Sequence, residues 1–206
     1  MADGKVCTGF SKPFVALYSD GNGTPAYSNG MAAGRGVSVS DDVEKIENKI
    51  FYANNGAAEN SGRKFNGATI SLTIDGLKTS ARKLIMGTPT ATTKSITVGA
   101  ETVSVSVDEY DDRQSIPYVG IGFIMRYQEE GVVTYRAVVF TKAMFDIEPL
   151  SAETEGEEIE FQTTELSATI LRDDSTYHRW KYDADDLTSE AIAEAFIKDV
   201  LNITGA

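Results

Sequence analysis

The clearest pattern in the chain is a pair of long apolar segments separated by a short polar turn. Tyr118–Tyr127 and Val132–Thr141 are rich in Val, Ile, Phe and Tyr, which favour strands, and the polar residues 128–131 join them. The pattern predicts one long β-hairpin, with arms of roughly 33 Å at about 3.3 Å per residue. Along the return arm, apolar residues occur at both alternating sets of positions, so neither face is fully polar. We expect both faces to contact protein, as they would in the central hairpin of an ordinary sandwich.

Alternation and turn signals predict several further strands. One face of Gly67–Ile74 is aliphatic and the other consists of Thr and Ser, which is typical of a half-buried strand. The sequence DGNG at residues 20–23 is a strong tight-turn signal, and Gly99-Ala100 is expected to join a small hairpin. The other predicted strands are Lys12–Ser19, Thr24–Ser28, Gly34–Ser40, Lys94–Val98, Glu101–Val107 and Ile159–Arg172.

Two segments have helical spacing of their apolar residues. Asp75 is expected to cap a short helix through Met86, with Gly87 placed to end it, and Thr188 or Ser189 is expected to cap a C-terminal helix. The predicted inner faces are Leu77, Ala81, Leu84 and Ile85 in the first helix, and Ile192, Phe196, Val200 and Ile203 in the second. The predicted fold is therefore mainly β: a β-sandwich or barrel with a long central hairpin, one short flanking helix and a C-terminal helix.

Four segments lack a clear period. Asp42–Ala53 fits both a helical stripe and a strand alternation. Asn54–Asn66 is polar and has no aliphatic anchor, so a long mobile loop is predicted there. Residues 1–11 are small and polar, which predicts a flexible N-terminal arm. Asp173–Asp186 is polar, with Trp180 as its one large apolar anchor.

The charge of the chain is strongly acidic. It has 31 acidic and 19 basic residues, which gives a net charge of −12. A protein that grips DNA would show a basic patch or stripe, so this balance argues against that function. It suits a chain that must stay soluble before assembly, or one that repels polyanions.

Cysteine usage and hydropathy bear on the cellular compartment. Cys7 is the only cysteine, so we expect neither a disulfide framework nor a cysteine-based metal site. The first residues contain no apolar segment of a signal peptide, and no run approaches 18 apolar residues. We therefore expect a protein that is made in the cytoplasm and left there or released by lysis, without a membrane partner.

The residues that could carry catalysis do not form a recognisable constellation. His178 is the only histidine, and the chain contains no nucleophile elbow, phosphate-binding loop or metalloprotease helix motif. Gly120 and Gly122 lie inside a predicted strand, so they do not form a phosphate cradle. Asp108, Asp111 and Asp112 could hold a divalent cation, although clustered loop carboxylates are usually only solvated. We expect neither an enzyme nor a bound cofactor.

The hairpin sequence resembles the major tail proteins of long-tailed bacteriophages, which are the subunits of the tail tube. That family carries a Pro-Tyr-Val-Gly-x-Gly segment, a turn, a Tyr-containing strand and a Lys-x-x-Phe exit. The matching positions here are Pro117, Tyr118, Val119, Gly120, Gly122, Tyr135, Lys142 and Phe145. Further similarity covers 154–163, an acidic loop followed by Phe-Gln-Thr, then 174–180 and 52–56. The resemblance touches most of residues 10–182 and favours a strand over Asp42–Ala53.

The resemblance implies a function in assembly. Such proteins are β-sandwiches with a flanking helix that form hexameric rings, and the rings stack into a tube. The long strands of six subunits join into an inner barrel through which DNA passes transiently and without sequence preference. Implied partners are further copies of the chain and the tape measure, terminator and distal tail proteins. The implied location is the virion tail, after synthesis in the bacterial host cytoplasm.

The resemblance divides the chain and suggests contact residues. Residues 12–182 would be the tail-tube-like domain, and 183–206 a C-terminal helical extension. The residues expected at contacts between rings or subunits are Asn54, Asn55, Arg63, Lys64, Gly120 and Gly122, the two glycines because missing side chains permit close approach of another backbone. The carboxylates expected to line an acidic lumen are Asp108, Glu109, Asp111, Asp112, Glu153, Glu155, Glu157 and Glu158. The alternative function is a monomeric β-sandwich binding module of the adhesin or carbohydrate-binding type.

Overall fold

The computed structural model describes residues 4–21, 23–45, 50–53, 56–60, 65–88, 91–150, 154 and 162–204, and twelve strands and two helices lie within them. The mainly β prediction is confirmed, including the short helix and the C-terminal helix. The elements in chain order are β1 Val6–Asp20, β2 Pro25–Ala32, β3 Arg35–Lys45, β4 Ile50–Ala53, β5 Gly56–Asn60, β6 Phe65–Asp75, α1 Thr79–Met86, β7 Thr92–Val98, β8 Glu101–Val107, β9 Val119–Glu129, β10 Val132–Phe145, β11 Thr164–Leu171, β12 Lys181–Leu187 and α2 Glu190–Val200.

The predicted long hairpin is strands β9 and β10, at the centre of the main sheet. Their register runs from Val132 opposite Glu129 to Phe140 opposite Ile121. The turn is tighter than the sequence predicts, because only Glu130 and Gly131 lie between the strands and both have positive φ, as the two-residue turns of twisted hairpins require. The antiparallel sheet has the order β2-β1-β9-β10-β11-β6-β3, and β12 pairs with β10 outside this path.

Strand β10 changes neighbours along its length. Its first part, Tyr135–Phe140, pairs with β12, whereas its last part, Lys142–Phe145, pairs with β11. The register with β9 is interrupted between Phe140 and Ala143, at the point of this exchange. The exchange creates a section in which four strands lie side by side, in the order β1, β9, β10 and β12. Strand β1 contributes only its first half to this section. We call these four strands the four-stranded section.

Two apolar clusters lie on the two faces of the hairpin. Ile121, Val138 and Phe140 face a large cluster that includes the inner face of β6 and the buried residues of α1. Ala137 and Val139, from the other face, pack with α2. The prediction that both faces contact protein is therefore confirmed. The covering elements belong to the same chain, so this burial is not by itself a sign of assembly.

Helix α1 begins later than the sequence pattern predicts. Asp75 does not cap it, since this residue still pairs with Arg35 at the end of β6. Lys78 precedes the first helical turn and makes no side-chain cap. The other expectations hold: Ala81, Leu84 and Ile85 are buried, Leu77 packs beside them, and Gly87 ends the helix in the left-handed conformation.

Helix α2 has the predicted cap but a rotated inner face. The Ser189 hydroxyl accepts a hydrogen bond from the Ile192 amide, while the buried row consists of Ala193, Ile197 and Leu201. Ile192 is 48% exposed, and the remaining residues of the predicted stripe are only partly buried at the rim of the cluster. The small Ala193 side chain lets this row approach the hairpin, which a pattern of large apolar residues alone does not reveal.

Several predicted boundaries are wrong. Strand β1 begins at Val6 rather than Lys12, because residues of the predicted arm pair with β9. Residues 56–60 of the predicted loop form β5, which pairs with β4. Strand β11 begins at Thr164 rather than Ile159. The predicted extension from residue 183 is not separate, because it shares β12 and its helix packs against the hairpin.

Candidate functional site

The four-stranded section has an open edge on each side among the described residues. On one side, Val6–Ser11 pair with β9, and the pairing of β1 with β2 begins only at Phe14. On the other side, β12 pairs with β10 and with no other described strand. Backbone amides and carbonyls at such edges are available for pairing with another chain.

The directions of the four strands make these edges complementary. Each pairing in the section is antiparallel: β1 with β9, β9 with β10, and β10 with β12. Because four strands alternate in direction, β12 runs opposite to β1. The β12 edge of one copy can therefore continue the antiparallel alternation with the β1 edge of the next. Such a head-to-tail contact repeats with every added copy and closes a ring when the rotation allows it.

Both edges carry features that restrict their pairing. The register of β1 with β9 shifts between Cys7 and Gly9, and β12 shifts against β10 near Asp186, which has positive φ. Strand β12 also carries charged side chains at alternate positions, Lys181 and Asp183. Bulges and edge charges disfavour pairing with arbitrary strands. These edges are thus open, but they are selective.

An ion pair fastens β12 to the hairpin. Arg136 Nε donates to Asp183 Oδ1 at 2.5 Å, a second bond joins the same two groups, and Lys181 Nζ lies 2.9 Å from Asp183 Oδ2. The hydrogen bonds from Arg136 lower the pKa of Asp183 to about 2, and those to Asp183 raise the pKa of Arg136. The carboxylate is therefore charged throughout the physiological range, and it holds the outermost strand in register.

Gly120 and Gly122 contact α2 of the same chain rather than another subunit. A Cβ atom on Gly120 would lie 2.6 Å from Leu201 Cδ2 and 2.6 Å from the Tyr27 ring, and one on Gly122 would collide with Ile197. The close approach predicted for these glycines is real. However, side chains of the C-terminal helix fill the space, which corrects the expected contact with another subunit's backbone.

Charged side chains also tie α2 to β1. Lys12 Nζ lies 2.6 Å from Glu194 Oε2 and 3.4 Å from Glu190 Oε1, and the Ser11 hydroxyl donates to Glu190 at 3.0 Å. Hydrogen bonds from Lys12 and Lys198 lower the pKa of Glu194. These contacts reach the end of the open segment of β1, so the helix helps to position that edge.

The acidic loop before the hairpin is largely paired with nearby cations. Asp108 lies 2.7 Å from Lys83 Nζ, Glu109 lies 3.0 Å from Lys94 Nζ, and Asp111 accepts hydrogen bonds from Arg113. These partners lower the pKa of Glu109 and Asp111. No group of three or more metal-ligating side chains occurs within the described part of the chain. The loop, which also contains Asp112, thus carries less net charge than its carboxylates alone suggest.

The other predicted contact and lumen residues lie outside the described residues. Four of them are predicted contact residues, and four are predicted lumen carboxylates. These residues are Asn54, Asn55, Arg63, Lys64, Glu153, Glu155, Glu157 and Glu158.

Three segments of the tail-protein resemblance meet around one lysine. Lys142 Nζ lies 2.6 Å from Asp174 Oδ2, and it also lies 4.6 Å and 5.1 Å from the ring centroids of Tyr118 and Tyr18. The Tyr18 hydroxyl donates to Asp174 at 2.7 Å. Desolvation is the main cause of the raised Tyr18 pKa, and the Lys142 hydrogen bond is the main cause of the lowered Asp174 pKa. The cluster joins β1, the hairpin and the segment before β12.

The remaining sequence candidates have structural contacts. His178 has positive φ, and its Nδ1 lies 3.2 Å from the Asp173 carbonyl oxygen. Trp180 stacks on Phe65 at a centroid distance of 4.3 Å. A cavity of about 480 Å³ lies near this segment, and its lining includes Tyr27, Tyr182, Phe196, Asp173 and Arg179.

A different kind of surface occurs on the ribbon formed by β7 and β8. Ile96 is opposite Val103, and the alternation puts Val98 and Val105 on the same face. All four side chains are exposed. The opposite face consists of Thr and Ser residues, so the ribbon is amphipathic while its apolar face remains open to solvent.

Within the described residues, neither helix has the length and apolar character that crossing a membrane requires.

Comparison of the sequence with protein-family models and with curated proteins identifies no relative. No protein-family model matches this chain, and no curated protein matches it.

Proposed function

We propose that this chain is a structural virion protein, the subunit of a bacteriophage tail tube, which assembles into hexameric rings stacked around the path of the DNA. The observation that carries the proposal is the pair of open edges on one four-stranded section, Val6–Ser11 and β12. The directions of these strands allow identical copies to continue a single antiparallel sheet. The sequence resemblance supplies the tail-tube context and the hexameric number.

The hairpin limits which residues can face a lumen. The half of the hairpin away from the turn is covered by the large apolar cluster on one face and by α2 on the other. Only the half near the turn, residues 126–136, has partly or fully exposed positions on both strands. This half, together with acidic loops, is the surface that would meet passing DNA. The net charge of −12 would let DNA slide rather than bind.

The proposal includes specific partners and a location. Further copies of this chain would form the rings, and the tape measure, terminator and distal tail proteins would meet the tube interior or its ends. The protein would be made in the host cytoplasm and become part of the virion tail. It would have no catalytic activity and no cofactor.

Disulfide trapping between copies tests the ring contact. Cys7 lies on the open β1 edge and is exposed, so a second cysteine can be placed on β12 by Lys181→Cys or Asp185→Cys. Under oxidation, concentrated protein should form a ladder of linked chains that ends at six. Cys7→Ser should abolish the ladder, and Ser38→Cys on β3 should not produce it. Protein that stays monomeric at every concentration, or rings without a trapped contact, would refute the proposed assembly.

One observation favours the binding-module alternative. The cavity beside α2 has a volume within the range of small-molecule sites, and it combines aromatic walls with the charged Asp173 and Arg179. A monomeric binder would use this cavity for a ligand that combines an apolar face with polar groups, such as a sugar. Binding of glycans to monomers, lost in Tyr182→Ala, would support this alternative.

A further inference from the structure

The β7–β8 ribbon exposes apolar residues without a covering element in the described structure. Ile96, Val98, Val103 and Val105 form its apolar face, and they are between 36% and 66% exposed. Neither strand packs extensively against any other described element. A two-stranded ribbon is only marginally stable alone in water, and one with an apolar face gains stability when that face is covered.

The chemistry of the ribbon excludes several occupants. Its face contains no aromatic residue for stacking on sugars or bases. Its two charged residues, Lys94 and Glu101, give the segment no net charge, which does not suit nucleic acid or an anionic membrane. Glu101 also lies beside the turn, where a membrane-inserting ribbon would need apolar residues. An aliphatic protein surface is the matching partner.

This chain has a matching surface elsewhere. After β10, Ile147 is 72% exposed and Leu150 is 99% exposed. They flank two adjoining cavities of about 400 and 170 Å³ that share Glu148 and Pro149. We call this surface the 147–150 groove. Its rim is acidic, at Asp146, Glu148 and Glu165, and Arg82 is the cation that pairs with Glu148.

Charge favours the neutral ribbon as the occupant of this groove. Two copies of a chain with net charge −12 repel each other over most of their surfaces. The ribbon adds no net negative charge at the acidic rim, because Lys94 balances Glu101, and its aliphatic side chains match Ile147 and Leu150. We propose that the β7–β8 ribbon of one copy docks in the 147–150 groove of another. This contact is heterologous, so it can repeat along an assembly. That the assembly is a tail tube rests on the proposed function.

A double substitution tests the energetic role of the contact. Ile96→Thr with Val103→Thr retains the β-branched shape of a cross-strand pair but removes the apolar surface. We expect the protein concentration needed for tubes to rise by about tenfold or more, with the unfolding midpoint of the monomer unchanged. Ser95→Thr with Ser104→Thr, on the polar face of the next ladder pair, is the matched control. Equal assembly by both variants would overturn the proposal.

Cross-linking tests which surface the ribbon meets. In a Cys7→Ser background, copies carrying Val103→Cys are mixed with copies carrying Leu150→Cys, and the assembled material is oxidised. Linked pairs of unlike copies are expected, with at least about tenfold fewer when Thr102→Cys replaces Val103→Cys. Rings or tubes without preferential linkage would refute this contact alone. Protein in which no copies associate would refute both this contact and the proposed function.

Discussion

Two hairpins of this protein carry rows of Val and Ile side chains, but the surroundings of these side chains differ. Strands β9 and β10 are rich in Val, Ile and Phe, and away from the turn they are buried on both faces by the chain's own elements. Strands β7 and β8 also carry Val and Ile on alternate positions, but all four of these side chains are exposed. Apolar residues in the first hairpin therefore stabilise the monomer. Those in the second are available for contacts between copies.

The same substitution in the two hairpins should separate these roles most clearly. Val139→Ala removes a fully buried side chain and should lower the free energy of unfolding by about 2 kcal/mol. Val103→Ala removes an exposed one and should change it by less than about 0.5 kcal/mol. Urea unfolding of dilute monomers checks both values. Equal losses would mean that the ribbon is packed in the monomer.

A small substitution where α2 packs on the hairpin should lower the free energy of unfolding by as much as Val139→Ala does, or slightly less. Gly122→Ala places a Cβ against Ile197, and the helix must shift, at a cost of about 1 to 2 kcal/mol. Gly9→Ala is the control, because its Cβ would meet only Arg126 Cβ at 3.6 Å, an ordinary contact distance. The control should change stability by less than about 1 kcal/mol. If Gly122→Ala leaves the free energy of unfolding unchanged, α2 does not pack closely on the hairpin at this position.

The smallest expected effect concerns the ion pair that holds β12. Folding lowers the pKa of Asp183 from 3.8 to about 2, so the folded state favours the carboxylate. This contribution is fully present above pH 4 and is lost as the pH falls toward 2. Relative to Asp183→Asn, the native chain should be more stable by about 1 kcal/mol at pH 7, since the pair is partly exposed. Unfolding measurements should show this difference shrinking toward pH 2; a constant difference would contradict the linkage.

Sequence patterns predict the parts of this fold in which large apolar residues repeat. The central hairpin and β6 are such elements. The presence of α2 was also predicted, although its inner face was not. The buried row of α2 was missed because Ala193 gives a weak apolar signal, although its small size permits the close packing. Strand β12 was missed because its inward residues, Tyr182 and Ala184, are followed by an irregular pairing that interrupts the alternation.

The open edges could not be predicted from sequence. Val6–Ser11 contains mostly small or polar residues, and it becomes a strand because β9 offers backbone partners. Whether a strand has one neighbour or two depends on pairings between distant parts of the chain. Here the exchange of partners along β10 decides it. The sequence resemblance indicates assembly, whereas the location of the edges follows only from the folded topology.

Hydrogen exchange at the two open edges tests the central claim most directly. Amides of Val6–Ser11 and of β12 are compared in dilute monomer and in concentrated, assembled protein, with β2 as an edge outside the four-stranded section. Pairing between copies would protect the outward-facing amides, so their exchange should slow by roughly tenfold or more on assembly. Exchange in β2 should change much less. Assembly that leaves both the β1 and β12 edges unprotected would contradict the account.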